Sequence, residues 1–244
     1  MRLAAGSTTF DVEAVVFDKD GTLISLDSYW REASAVWIGW LTGGDVRLMD
    51  AVSETLGWEG GQLVADGLLA TASLDAIEQA AVAVLSDFGI PTTTAESRSR
   101  RGRDAAVRLA AMSDPEPIGD VHATFRRLSA AGLHLAIATT DDEAPTRRAL
   151  HTLGVHQFVD VVIAGDGDVP SKPHPAVIST IAGLFGLDPR SILVVGDSTR
   201  DRDTAIAGGA AGFVLVAPDG RRRFAADAVI TSVDELTLAD SANA

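Results

Sequence analysis

Short apolar segments alternate with longer segments of helical periodicity along most of this 244-residue chain. The apolar segments are continuous rather than interrupted by polar residues, which is typical of strands that are buried on both faces of a parallel sheet. Three of the intervening segments end at Gly132, Gly154 and Gly186, where a glycine commonly follows the last turn of a helix. We therefore predict an α/β fold with a Rossmann-like parallel sheet, whose strands are 14–17, 133–138, 159–164, 192–195, 212–216 and 228–230.

The first two predicted strands are separated by about a hundred residues, whereas a single crossover connection requires only about a dozen. This interval has helical periodicity and no strand pattern, and the glycine pairs Gly43-Gly44 and Gly60-Gly61 mark turns within it. We expect a sheet domain formed by residues 1–24 and 114–244, with an inserted all-helical domain at 25–113. The helices predicted in the insertion are 29–41, 45–56, 62–72, 74–88 and 94–112.

Composition excludes several classes of function. The formal net charge of −14 disfavours binding to nucleic acids and to anionic membrane surfaces. The chain has no cysteine and therefore no disulfide or thiolate metal ligand, and no apolar run approaches the roughly 18 residues of a membrane-spanning helix. No apolar signal segment is present near the N-terminus either, so we expect a cytoplasmic enzyme. We expect it to be a monomer or homodimer that acts on a small molecule, with neither nucleic acid nor membrane as its partner.

Acids, hydroxyls and a lysine follow four of the predicted strands. Parallel α/β sheets bind ligands beyond the carboxyl ends of their strands, so residues at these positions are expected to surround one site. The candidates are Asp18 and Asp20 after the first strand, Thr139 and Thr140 after the second, Lys172 in the loop after the third, and Asp197 and Asp201 after the fourth.

Several carboxylates at one point would repel each other strongly unless a cation lay between them. The candidate ligands are all oxygens, which favours a hard divalent ion, and Mg²⁺ held by carboxylates, a phosphate oxygen and water fits best. Lys172 would then supply a compact positive charge that screens an attacking carboxylate from an anionic phosphate. A carboxylate that attacks phosphorus forms an aspartyl phosphate, and a second acid nearby can protonate the leaving oxygen and then deprotonate water.

The segments VVFDKDGTL, IATT, SKPHP and VVGDSTRD resemble, in order and spacing, the four motifs of the haloacid dehalogenase-like hydrolase superfamily. The helical insertion after the first motif resembles the C1-type cap domain of that superfamily, and the combination is similar to its phosphoglycolate phosphatase-like branch. Members that act as dehalogenases lack the second acid of the first motif. The presence of Asp20 therefore favours chemistry on phosphate esters.

The resemblance also implies a role for each candidate. Asp18 would be the nucleophile and a metal ligand, and Asp20 the general acid and base, with its main-chain carbonyl on the metal. Thr139 and Lys172 would hold the phosphoryl group, with Thr140 as a further phosphate-binding residue. Among the last acids, Asp197 would ligate Mg²⁺, and Asp201 would complete the metal site by orienting its water or would position Lys172. Lys19, between the first two acids, is expected to point away from the site, because successive residues at a strand end face opposite ways.

We therefore expect a Mg²⁺-dependent phosphatase that hydrolyses a small phosphorylated metabolite, beneath a cap that excludes water and selects the substrate. Two alternatives remain, a phosphomutase of the same fold acting on a sugar phosphate, and a non-catalytic binding domain. Asp201 has an alternative interpretation as the N-cap of a helix at 202–207. Outside the site, we expect the tryptophans of the insertion to form its core and the arginines to be solvated; these residues are Trp30, Trp37, Trp40 and Trp58, the run Arg98 to Arg103, and Arg221 to Arg223.

Overall fold

A computed structural model of the chain describes residues 1–64, 66–112, 114–218, 220 and 224–239. These residues form two compact units, Met1–Ser25 with Glu116–Ala244, and Leu26–Pro115. The strands are β1 Arg2–Ala5, β2 Thr8–Asp11, β3 Ala14–Phe17, β4 Trp58–Glu59, β5 Gln62–Leu63, β6 His134–Ala138, β7 Val161–Ile163, β8 Ile192–Gly196, β9 Gly212–Val216, β10 Ala228–Ile230 and β11 Leu236–Leu238. The helices are α1 Leu26–Thr42, α2 Val46–Leu56, α3 Leu68–Thr71, α4 Leu74–Asp87, α5 Thr92–Met112, α6 Val121–Ala130, α7 Glu143–Thr152, α8 Ala176–Phe185 and α9 Thr199–Gly208.

The first unit is built on a six-stranded sheet in the order β10-β9-β8-β3-β6-β7, and every neighbouring pair is parallel. All six predicted strands are present, with ends that differ from the prediction by at most two residues. The predicted α/β fold with a Rossmann-like parallel sheet is therefore confirmed. All four residues of β3 are buried, as its continuous apolar sequence predicts for a central strand covered on both faces.

The register of this sheet determines where the site lies. Phe17, the last residue of β3, is paired with Ile137 of β6 on one side and with Val195 of β8 on the other. The three strands therefore end at nearly the same level, and the residues that follow them are brought to one edge of the sheet.

A second, antiparallel sheet in this unit was not predicted. Its order is β11-β1-β2, with Leu3 paired to Phe10 in the hairpin and to Leu238 from the far end of the described chain. The strands are only three or four residues long, and β2 exposes polar side chains, so neither apolar content nor periodicity distinguishes them from loop. β1 also pairs with β11, which lies more than 200 residues away, and local sequence patterns do not reveal such a partner.

The second unit contains α1 to α5 and a two-stranded hairpin formed by β4 and β5. The expectation of an all-helical insertion is thus wrong at one point, and the helix predicted at 62–72 is reduced to β5, a loop and the short helix α3. Gly60 and Gly61 both have positive φ angles, so the turn predicted there is present, but it closes a hairpin. The remaining helices lie close to their predicted bounds, and Asp45 and Ser73 cap α2 and α4 with their side chains.

The tryptophans predicted as core residues of the second unit are divided in the structure. Trp37 is fully buried, and Trp30 and Trp58 are partly buried against the same apolar cluster. Trp40 is 45% exposed, so the core prediction is wrong for this residue, which shares α1 with Trp37 but lies three positions further along and off the buried stripe.

The arginine run predicted to be solvated lies on α5. Arg100 and Arg101 are exposed, as expected, while Arg103 forms ion pairs with Asp75 and Glu78 within the same unit. Arg221 to Arg223 lie outside the described residues.

Among the helices of the described residues, none combines the length and the apolar character that crossing a membrane would require.

Candidate active site

Asp18 and Asp197 are brought together by the pairing of β3 with β8. The backbone N–H of Asp18 donates a hydrogen bond to Val195 O at 2.9 Å, which extends the ladder one residue beyond β3. Asp197 follows directly after Gly196, the last residue of β8. Two acids that are far apart in the sequence therefore lie side by side at the edge of the sheet.

Asp201 completes an acidic cluster with Asp18 and Asp197. One carboxylate oxygen from each residue can be chosen so that all three atoms lie within 4.8 Å of one another. Gly21 makes room for this cluster, because a Cβ atom at that position would overlap the carboxylate of Asp197, and its φ of +82° is one that glycine adopts readily. The glycine of the first motif thus has a steric reason as well as a conformational one.

Lys172 lies between two of the three acids. Its Nζ donates hydrogen bonds to Asp18 Oδ1 at 2.5 Å and to Asp201 Oδ1 at 2.6 Å, and the residue is 5% exposed. Burial alone would lower the pKa of Lys172, but the charges of Asp18 and Asp201 outweigh burial and raise it above its ordinary value. The ammonium therefore stays charged and holds both carboxylates in place.

Asp201 has both carboxylate oxygens engaged. Oδ1 accepts from Lys172, and Oδ2 accepts from the hydroxyl of Ser198 at 2.6 Å and from its backbone N–H at 3.1 Å. Ser198 is the N-cap of α9 and forms a reciprocal capping box with Asp201 in the first turn. The alternative interpretation of Asp201 as an N-cap is therefore wrong, and holding Lys172 fits its contacts better than direct metal ligation.

The cluster has more negative charge than Lys172 can balance. Burial raises the pKa of Asp18 to about 7, with a further rise from Asp201 and Asp20 that the charge of Lys172 opposes. Burial and the charges of Asp18 and Asp201 also raise the pKa of Asp197 well above its ordinary value. An additional cation at this point would relieve the repulsion.

The donor set fits such a cation. Within the described part of the chain, no backbone or side-chain group donates a hydrogen bond to the carboxylate of Asp197, and Asp18 uses only Oδ1 for Lys172. Partly desolvated carboxylate oxygens without hydrogen-bond donors are suitable ligands for a hard divalent ion such as Mg²⁺. Asp18 and Asp197 are thus the acids best placed to hold a metal.

Asp20 lies in a second ion cluster, centred on Lys19. Lys19 Nζ is 2.7 Å from Asp20 Oδ1 and 3.1 Å from Asp141 Oδ2, and the lysine is 1% exposed. The expectation that Lys19 points away from the site is wrong in this respect, because its ammonium contacts one of the candidate catalytic acids. Strand alternation does not apply here: β3 ends at Phe17, and the chain turns back so that Ile24 N–H donates to Lys19 O.

Thr139 follows β6 at the same edge of the sheet. It is 3% exposed, its backbone N–H donates to Ile163 O at 3.0 Å, and its hydroxyl oxygen accepts from the N–H of Asp141 at 3.1 Å. A hydroxyl that accepts a hydrogen bond still has one proton that it can donate to a ligand. Thr140 is partly buried beside it, and its phosphate-binding role stays a prediction.

Asp141 is a residue of this site that the sequence interpretation missed. Burial raises its pKa, which the nearby charge of Lys19 opposes. It belongs to none of the four quoted motifs, and an acid just after a strand is ordinarily a solvated loop residue. The signal that could have found it is the lysine of the first motif, since a buried lysine requires an anionic partner.

Comparisons with known proteins agree with this architecture. A sequence model of the haloacid dehalogenase-like hydrolase family matches residues 12–209. The phosphoglycolate phosphatase of Yersinia pestis is 38% identical over 89 residues, which cover 36% of this chain and only 38% of that protein. The phosphoglycolate phosphatase of Thiobacillus denitrificans is 26% identical over 231 residues, which cover 93% of this chain and 95% of that protein.

A solved structure shares the fold. It is the crystal structure of a predicted phosphoglycolate phosphatase from Haemophilus somnus, with a TM-score of 0.66 and 23% identity over 87% of each chain. At this level of identity the likeness concerns the arrangement of helices and strands, and the chemistry depends on the residues of the site.

Proposed function

Because the chain belongs to the haloacid dehalogenase-like hydrolase family, we propose that it is a Mg²⁺-dependent phosphatase that hydrolyses a small phosphomonoester through a phosphorylated Asp18. The observation that carries the proposal is the environment of Asp18, a buried carboxylate with one oxygen held by Lys172 and the other without a donor among the described residues. Such a carboxylate is held for attack, and because burial raises its pKa to about 7, positive charge from a bound metal ion would favour the ionised, nucleophilic form.

In the proposed first step, one carboxylate oxygen of Asp18 attacks phosphorus, and the bond from phosphorus to the substrate oxygen breaks. Asp20 donates a proton to that oxygen, so that a neutral alcohol leaves. Lys172 and the hydroxyl of Thr139 donate hydrogen bonds to the phosphoryl oxygens. These donors stabilise the negative charge on those oxygens in the transition state.

In the second step, Asp20 takes a proton from a water molecule as its oxygen attacks phosphorus. The bond from phosphorus to Asp18 breaks, inorganic phosphate leaves, and both acids return to their starting states. Asp18, Asp197 and the main-chain carbonyl of Asp20 would hold Mg²⁺. When bound, the ion supplies positive charge that lowers the repulsion between the carboxylates and the phosphate.

The relatives support a small anionic substrate, and we propose phosphoglycolate as the first compound to assay, since the Yersinia and Thiobacillus proteins are named for it. We further propose that the helical insertion, expected at 25–113, acts as a cap that selects the leaving group. The cytoplasmic location stays a prediction.

The proposal is tested by release of phosphate from phosphoglycolate and from 4-nitrophenyl phosphate, measured with Mg²⁺, after treatment with EDTA, and after Mg²⁺ is restored. We expect turnover to disappear with EDTA and to return with the metal. Calcium should support turnover poorly, because its looser coordination misplaces the attacking oxygen. Turnover that is unaffected by EDTA would contradict the metal requirement.

Asp18→Asn should abolish turnover because an amide does not attack phosphorus, while Asp11→Asn, a change at an exposed acid of the same unit, should leave it unchanged. Asp20→Asn should slow hydrolysis and allow a phosphorylated protein to accumulate, visible as added mass after acid quenching. Activity of Asp18→Asn within about tenfold of the parent would exclude it as the nucleophile.

The same assays separate the alternatives. A phosphomutase would convert one sugar phosphate into its isomer without releasing phosphate, whereas the proposed enzyme releases phosphate and forms no isomer. A non-catalytic binding domain would bind phosphate or Mg²⁺ and turn over neither substrate.

A further inference from the structure

The chain contains only two lysines, Lys19 and Lys172, compared with 18 arginines. Both lysines are buried, and each has its ammonium between two aspartates. An ammonium is compact and fits between two carboxylates in a buried space, where a planar guanidinium requires more room. The proposed mechanism gives Lys172 a task, but it gives none to Lys19.

Lys19 connects the loops that follow two neighbouring strands. Asp20 lies in the loop after β3, and Asp141 lies in the loop after β6, so one ammonium contacts a carboxylate from each. The Asp20 side chain is 21% exposed, whereas the lysine side chain is 2% exposed. The contact therefore ties a partly exposed carboxylate to a buried charge.

Asp141 is itself fixed by the main chain. Its Oδ1 accepts from the N–H of Asp142 at 2.9 Å, and its carbonyl oxygen accepts from the N–H of Gly165 at 2.8 Å. Its own N–H donates to the hydroxyl oxygen of Thr139. A single residue thus holds both Lys19, which contacts the proposed proton donor, and Thr139, which would bind the phosphoryl group.

We propose that Lys19 and Asp141 are a positioning pair, which sets the place of the Asp20 carboxylate relative to the Thr139 hydroxyl. This inference rests on the proposed function, because it assigns a purpose to the geometry of Asp20 only if Asp20 transfers protons. Neither Lys19 nor Asp141 touches the reacting atoms in this scheme. They act by keeping the proton carrier at the correct distance from the leaving oxygen, on which proton transfer depends steeply.

The kinetic test uses two substrates that differ in their need for a proton. Nitrophenolate leaves without protonation, whereas the alkoxide of an alkyl phosphate such as phosphoglycolate must be protonated as it leaves. The value of kcat/KM reports the steps up to the first irreversible one, which include loss of the leaving group. Lys19→Met and Asp141→Asn should therefore lower kcat/KM for the alkyl phosphate about tenfold more than for the aryl phosphate. This factor is smaller than the roughly 10²- to 10⁴-fold that general acid catalysis contributes, because Asp20 is displaced rather than removed.

Two outcomes would overturn the inference. An equal loss for both substrates would indicate that the pair only stabilises the fold, and no loss for either would indicate that Asp20 needs no support. Lys19→Met should also have little further effect in an Asp20→Asn background, because the acid that it positions is then gone, whereas a purely structural role would add its full effect. Asp141→Asn, which preserves shape, keeps the test valid if Lys19→Met fails to fold.

A measurement without turnover tests the contacts directly. Protein labelled with ¹³C at the lysine ε-carbon should give two lysine signals, since the chain has two lysines. We expect Asp141→Asn and Asp20→Asn to shift the Lys19 signal, Asp18→Asn to shift mainly the Lys172 signal, and Asp11→Asn to shift neither. A Lys19 signal that is unchanged in both Asp141→Asn and Asp20→Asn would overturn the inference.

The experiments distinguish the inference from the proposed function. If Asp18→Asn and Asp20→Asn retain turnover, the proposed function itself fails. If both variants lose turnover while Lys19→Met and Asp141→Asn affect the two substrates equally, the phosphatase assignment stands and only the positioning pair is wrong.

Discussion

The two buried lysines use the same contacts in different surroundings. Lys172 shares its space with three carboxylates, of which it contacts Asp18 and Asp201, and negative charge remains in excess. Lys19 contacts the carboxylates of Asp20 and Asp141, and the Asp141 carboxylate also accepts a hydrogen bond from the backbone N–H of Asp142. The first centre is electrostatically incomplete and suited to a metal and a phosphate, while the second resembles a structural brace.

The difference shows why a buried ion pair is not by itself a sign of catalysis. Removing one partner of such a pair is costly wherever it occurs, because the other charge is left buried. The two centres can instead be distinguished by the effect of a substitution in each. The substitution could lower turnover of all substrates, turnover of one class of substrate, or stability alone.

The largest effect should follow Lys172→Met. We expect turnover to fall about 10²- to 10³-fold on aryl and alkyl phosphates alike, since a charge that stabilises the transferring group is lost for both. The free energy of unfolding should fall by about 3–5 kcal/mol, because Asp18 and Asp201 then face each other without a cation. Steady-state kinetics and chemical denaturation measure the two effects.

The control for this prediction is Arg190→Met, which removes a basic residue from an exposed ion pair with Asp188 and should change neither quantity. Lys172→Met could instead lower turnover more for the alkyl phosphate than for the aryl phosphate, as expected for Lys19→Met. That result would remove the distinction between the two centres.

The next effect concerns the space around the acids. Gly21→Ala should destabilise the protein more than Gly132→Ala, although the φ angles of +82° and +86° are nearly equal. A Cβ at Gly132 meets no atom within 4 Å, so that variant reports only the left-handed conformation, about 1–2 kcal/mol. A Cβ at Gly21 would also displace Asp197, so its variant should require more Mg²⁺ for half-maximal turnover. Equal stability and equal Mg²⁺ requirement would show that Asp197 is free to move.

A smaller effect should appear in the pH dependence of the metal-free protein. Between the ordinary pKa of 3.8 and about 7, folded Asp18 keeps a proton that the unfolded chain has released. The folded state therefore binds more protons, and the free energy of unfolding should decrease as the pH rises through this window. Thermal melts in EDTA should show this decrease, and Mg²⁺ should restore stability most at the upper end.

Asp18→Asn should make the metal-free melts less dependent on pH, because the titrating carboxyl is gone. A decrease of the same size in that variant would assign the pH dependence to other groups. The Lys19 centre offers a contrast in the same melts, since Mg²⁺ should not compensate for Asp141→Asn.

The smallest effect should follow Ser198→Ala. Loss of this N-cap should cost about 1 kcal/mol, and turnover should also fall because Asp201 no longer holds Lys172 as firmly. Ser73→Ala is the matched control, since Ser73 is the side-chain N-cap of α4 in the other unit. Thermal melts should shift similarly for both variants, and a turnover that falls equally in both would separate Asp201 from the reaction.

Much of the candidate site could be predicted because it depends on strand order and strand ends. Asp18 and Asp197 follow two continuous apolar strands, and parallel strands end at one edge. The surroundings of Lys19 could not be predicted in the same way. They depend on the residue at which β3 ends and on how the next loop turns, and a shift of one residue in either would point the Lys19 side chain elsewhere. The β11-β1-β2 sheet and the β4-β5 hairpin escaped for a related reason, as short strands are defined by their partners rather than by their own composition.

The backbone N–H of Ser25 donates a hydrogen bond to Glu116 O at 2.8 Å, and Ile24 and Pro117 form an antiparallel bridge beside it. The chain thus leaves and re-enters the sheet unit through two adjacent positions. Because the entropy of loop closure grows only slowly with loop length, a longer or shorter excursion would alter that entropy only slightly. We therefore expect that a segment of different length could be placed at this junction while the acids and lysines of the sheet unit keep their positions.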